Sequence, residues 1–102
     1  MEIRNLITFI TVAELNSFTK AASQLGYSQS TVSFQIRALE EELDCLLFER
    51  INHTISLTTK GKELLEYAQK VTQLTEEFKQ EFDDTEIKGH IRVVTPDSID
   101  LI

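Results

Sequence analysis

The stretch "SQSTVSFQIRALEEEL", residues 28–43, decides how this chain folds. Val32, Ile36, Leu39 and Leu43 follow the i, i+4, i+7, i+11 spacing of a buried helical stripe. At about 100° per residue, the far side carries Ser30, Ser33, Arg37 and, almost diametrically opposed to the stripe, Phe34. A large aromatic set among small hydroxyls and a cation on the solvent side calls for a partner.

Working outward toward the N-terminus, "FTKAASQL" (18–25) predicts a short helix with Ala21, Ala22 and Leu25 inward. Ser17 is placed to cap its start, and Gly26 suits the left-handed conformation that closes a helix. Ser28 can then cap the next helix. Two helices joined by a turn of roughly three or four residues make a helix-turn-helix, here over about residues 18–37. Before it, residues 3–14 place Ile3, Leu6, Phe9, Ile10 and Ala13 on one face of a first amphipathic helix.

Toward the C-terminus, "LLFERINHTISLT" (46–58) predicts a hairpin, with Leu46–Arg50 and Ile55–Leu57 flanking the turn "INHT". The expected fold is therefore mainly α: a winged helix-turn-helix of three helices plus a small β-hairpin over residues 1–58. Thr58 or Thr59 then opens the longest helix signal, a linker over residues 59–86. Leu64, Ala68, Val71, Thr75, Phe78 and Phe82 repeat at spacings of 4, 3, 4, 3, 4, the seam of a coiled coil. Some 25 residues at ~1.5 Å each make a rod of about 38 Å, longer than so small a domain needs for its own core. Two uses of the stripe compete, a dimer seam and a self-core, and the length favours the seam. Residues 87–102 are expected to form a hinge and a first strand, with Ile91, Val93 and Thr95 alternating, of an effector-binding domain cut short.

Composition narrows the function. The formal net charge of the 102 residues is -7, yet it is unevenly spread. Residues 1–62 hold six Lys/Arg against seven Asp/Glu, and residues 63–102 hold four against ten. The acidity of the whole therefore says little about what the first half binds. A lone cysteine, Cys45, excludes an intrachain disulfide and fits a small core residue in a reducing compartment. No apolar run approaches ~18 residues, so a soluble, cytoplasmic chain without membrane contact is expected. Histidines are far apart, metal-ligand spacing and phosphate-cradling glycine loops are lacking, and no enzyme is expected.

The run Ser17-Phe18-Thr19, Ala21-Ala22, Ser28-Gln29, Val32-Ser33, Gln35-Ile36, Leu39-Glu40, Leu43, Leu47-Phe48-Glu49-Arg50, Leu57-Thr58 and Gly61 is in order and register over residues 1–62. It resembles the N-terminal winged helix-turn-helix domain of LysR-type transcriptional regulators, and "KGHIRVVTP" resembles the start of the domain that follows. The resemblance implies sequence-selective binding to double-stranded DNA at a pseudo-palindromic operator. The recognition helix would enter the major groove and the wing would meet the backbone or minor groove. It implies a homodimer, or a tetramer of the full-length protein, and a small-molecule effector for the C-terminal domain, with no cofactor in this part.

DNA contact would fall to Ser28, Gln29, Ser30, Thr31, Ser33, Phe34, Arg37, Arg50 and His53, and dimerisation to the 64–82 stripe. Gln can pair bidentately with adenine, and serine hydroxyls serve several base edges. The chain departs from the family at Phe34, where a basic residue is frequent, at Ser30, where proline is, and in a wing whose turn offers only His53. Phe34 would then touch a thymine methyl or a sugar, pack on a neighbouring element, or serve a protein-interaction module that has left DNA behind. Arg37 has a rival partner in Glu41, four residues on, and Arg50 in Glu49.

Overall fold

A computed structural model describes residues 1–89 of the chain, with side chains through residue 83. The elements run α1 (Ile3–Leu15), α2 (Phe18–Leu25), α3 (Gln29–Leu43), β1 (Phe48–Ile51), β2 (Thr54–Leu57) and α4 (Thr59–Gly89). Residues Met1–Thr72 form one compact unit, and a second begins at Gln73 within α4. The expected strand at Ile91–Thr95 lies outside the described residues.

Local chemistry sets the helix ends. The Ser17 hydroxyl accepts the Lys20 N–H at 3.0 Å, and Gly26 at φ 76° closes α2. Ser28 Oγ accepts the Thr31 N–H at 3.2 Å and starts α3, which Asp44 ends at φ 54°. Thr58 resolves the choice of cap for α4: its hydroxyl accepts the Gly61 N–H at 3.0 Å and donates to the Leu46 carbonyl at 2.6 Å. One side chain thus caps a helix and pins the segment that leads into the wing.

One core joins all these elements within the first unit. Leu6, Phe9 and Val12 of α1 meet Ala21 and Ala22 of α2, Val32, Ile36 and Leu39 of α3, Leu47 and Ile55 of the wing, and Ala68 of α4. Phe48 reaches in from the wing, its ring 5.4 Å from that of Phe9 and 5.7 Å from that of Phe18. Gly61 makes the junction with α4 possible. A Cβ there would collide with the Leu47 carbonyl and stand 2.9 Å from Leu57 Cδ2.

The structure revises several expectations. Ile3 and Leu43 lie exposed, because each sits at a helix end beyond the reach of the core. On α1 the buried face instead takes in Thr8, Thr11 and Val12, since both α2 and α3 pack on that helix. The hairpin turn is tighter than "INHT": Ile51 pairs with Thr54, leaving Asn52 and His53, both at positive φ, as a two-residue turn. Positive φ at both positions is the pattern of a type I′ turn, whose twist suits a hairpin. α4 continues to Gly89, so residues 87–89 belong to the helix and not to a hinge. Leu64 and Ala68 pack into the chain's own core, so the self-core use holds for the first part of the 64–82 stripe.

Candidate nucleic-acid interface

α3 turns Val32, Ile36 and Leu39 inward, and this fixes what it turns outward. Gln29, Ser30, Phe34 and Arg37 are exposed and Ser33 is half-buried. A buried hydrogen bond holds that orientation, with Thr8 Oγ1 donating to Gln35 Oε1 at 2.6 Å between α1 and α3. Sequence spacing alone did not single out Gln35 as a positioning residue, since an amide on a helix is ordinarily solvated.

The start of α3 is tied to itself. Ser28 Oγ donates to Thr31 Oγ1 at 3.0 Å and lies 3.1 Å from Ser30 Oγ, besides capping the helix. Ser28 and Thr31 are thereby occupied in building the helix end, while Ser30 keeps an exposed hydroxyl beside them.

The wing completes the surface. Gln29, Ser33 and Arg37 line a groove shared with Glu49 and Arg50 of β1, with Phe18 and Phe48 along it. An adjoining groove brings Gln29 and Arg50 together with His53 of the turn and with Ser17 and Thr19 at the start of α2. Five of the expected contact residues therefore gather around two grooves, and Ser17 and Thr19 join them. Their signal was present in the cap of α2, but only the packing of α2 beside the wing places it at this surface. Ser28, Ser30 and Thr31 stand at the start of α3 outside those grooves, and Phe34 lies on the exposed side of α3 outside both.

Charge is available here. Arg37 and Arg50 take part in none of the ion pairs among the described residues, so neither Glu41 nor Glu49 holds them. Of the two carboxylates lining the groove with Arg37 and Arg50, Glu40 is engaged by the backbone, its Oε2 accepting the Leu47 N–H at 2.9 Å. Glu42 pairs with the Met1 ammonium at 3.0 Å. The triple-Glu run is thus not a uniformly solvated face, because one member anchors the turn before the wing. Among the described residues no group of three His, Cys, Asp or Glu could hold a metal, and no helix is long and apolar enough to cross a membrane.

Residues 3–62 match the family model of the bacterial regulatory helix-turn-helix protein, lysR family. The chain belongs to the LysR family. It is 52% identical over 79 residues to the HTH-type transcriptional regulator YwqM of Bacillus subtilis (strain 168), covering 78% of this chain and 27% of YwqM. It is 39% identical over 103 residues to the HTH-type transcriptional regulator CzcR of the same organism, covering all of this chain and 36% of CzcR. The chain thus spans between a quarter and two-fifths of these LysR-family relatives. The crystal structure of the BenM_DBD/catB site 1 DNA complex matches with a TM-score of 0.79 and 36% identity, covering 90% of this chain and 98% of that one.

Proposed function

We propose that this chain is the DNA-binding part of a homodimeric transcriptional regulator that reads a pseudo-palindromic operator, one recognition helix per half-site. The carrying observation is the outward face of α3, where Gln29, Ser30, Phe34 and Arg37 are exposed beside a wing that presents Arg50 and His53. Support comes from the likeness to a domain crystallised with DNA.

In this reading α3 lies in the major groove, where Gln29 can pair bidentately with adenine and Ser30 and Ser33 can meet base edges. Arg37 and Arg50, which line one groove between α3 and the wing, face phosphates, and His53 brings the turn of the wing to the backbone or minor groove. Ser28 and Thr31 contribute by capping α3, with the free N–H groups of its first turn available to a phosphate. The second copy is held through α4. Because Leu64 and Ala68 serve the chain's own core, the shared seam starts beyond them, along Val71, Thr75, Phe78 and Phe82. Phe78 and Phe82 are exposed and stacked, with ring centroids 6.0 Å apart. The chain carries no catalysis of its own, acts in the cytoplasm, and leaves effector binding, and any tetramer, to the rest of a longer regulator.

The test is salt-dependent binding to duplexes selected from a random pool. With ~3–4 phosphates neutralised per protomer, log K for a dimer should fall against log salt with a slope near -6. Arg37→Ala should flatten that slope by about one unit per protomer. A slope near zero, or an Arg37→Ala chain that binds unchanged, would favour a protein-interaction module instead.

A further inference from the structure

Phe34 is 70% exposed, the most exposed of the large apolar side chains described. Neither the wing nor another helix covers it, and among the described residues no ring contact involves it. Packing on a neighbouring helix or the wing, one of the roles open from the sequence, is thereby removed among the described residues. Ser30 stands one turn before Phe34 on α3 and Arg37 one turn after, so the ring sits between a hydroxyl and a cation on a face that is otherwise polar. Gln29 begins the helix, and Phe34 follows it by about 7.5 Å along the axis, which keeps both within the stretch of a recognition helix that reaches base edges.

A phenyl ring can neither donate nor accept the hydrogen bonds that phosphates and most base edges require. In the major groove only one base carries an apolar group, thymine with its 5-methyl. We propose that Phe34 is a specificity-determining residue that reads the 5-methyl group of a thymine in each half-site. The proposal rests on the DNA-binding reading above and deepens it. Gln29 selects through hydrogen bonds, Arg37 positions through charge, and Phe34 selects through the methyl group alone. Cytosine offers that place a bare C5–H, and a purine offers polar N7 and O6 or N6 edges. A 5-methylcytosine would satisfy the ring as thymine does.

The experiment uses the purified chain and a duplex selected from a random pool, then resynthesised with single thymine-to-deoxyuridine replacements at each position. Deoxyuridine removes the methyl group and leaves pairing and phosphates intact. One position per half-site should weaken binding about fourfold, the worth of one buried methyl-sized group. Cytosine at that position should gain affinity when supplied as 5-methylcytosine. Phe34→Ala should bind all these duplexes alike while keeping the wild-type salt slope, and Phe34→Leu should restore part of the discrimination. Since the side chain is exposed, both variants should melt as the parent does. If the parent binds thymine and deoxyuridine duplexes equally while its salt slope stays steep, the methyl reading is overturned and DNA binding stands. If Phe34→Ala discriminates as the parent does, another residue reads the methyl and the assignment to Phe34 is wrong. If the parent binds no duplex, both readings fall and a protein partner becomes the occupant of Phe34.

Discussion

In residues 1–72 one set of large apolar side chains converges, with Phe9, Leu39 and Leu47 wholly enclosed, while Phe34 and Leu46 stay outside it. In α4 beyond Gln73 none of those described is enclosed, with Leu74, Phe78 and Phe82 each more than half exposed. The two regions differ in what completes them. Four helices and a hairpin supply one another's burial in the first, whereas among the described residues the second is a single helix with no second layer over its apolar stripe. Isolated helices are marginal in water, so a helix with such a stripe gains its order from packing. If the second copy is held through α4 as proposed, stability and assembly are carried by separate stretches of this chain. They should respond to separate mutations.

The strongest test is Phe9→Ala. Removing this enclosed ring should cost ~3–5 kcal/mol of unfolding free energy, read by denaturant titration of the domain. The double change Phe78→Ala, Phe82→Ala should move the same midpoint by no more than about 0.5 kcal/mol in dilute protein, yet shift sedimentation toward the monomer. Equal losses of stability from both would erase the distinction between the regions.

A finer test addresses the polar link inside the core. Gln35→Ala leaves the buried Thr8 hydroxyl without its acceptor and should cost ~1–3 kcal/mol. Combining Thr8→Val with Gln35→Leu replaces both partners by apolar groups and should recover most of that loss. Since the bond also sets how α3 faces outward, the double variant should show weaker selectivity among duplexes than its stability predicts. The smallest effect is expected from Ser17→Ala, about 1 kcal/mol through the lost cap of α2. A thermal melt unchanged within error would mean that the cap hydrogen bond contributes nothing net.

Much of this was legible before the fold. The i, i+4, i+7 stripe of α3 survives as Val32, Ile36 and Leu39. Ser17, Gly26 and Ser28 punctuate the helices as their chemistry requires. Caps and periodicity depend on residues a few positions apart, so a linear pattern contains them. What pattern could not settle was how far each stripe would be used. Leu43 continues the spacing but lies past the core, and Ala68 belongs to a seam by spacing but to the domain's interior by packing. The turn of the wing was likewise placed in the right stretch, but its two-residue geometry follows from strand register.

The candidate interface divides along the same line. Taken alone, the sequence determined that α3 has a polar far side with Phe34 at its centre, because a helix of fixed period cannot bury one side without presenting the other. Tertiary structure decided which of those side chains are at liberty. It turned Glu40 to the Leu47 N–H and left Arg37 without a carboxylate partner among the described residues, while the local cap occupied Ser28 and Thr31. It also carried Arg50 and His53 across from the wing to meet Gln29. That meeting joins residues more than twenty positions apart, which only the packing of α1, α2 and the hairpin around α3 brings to one groove.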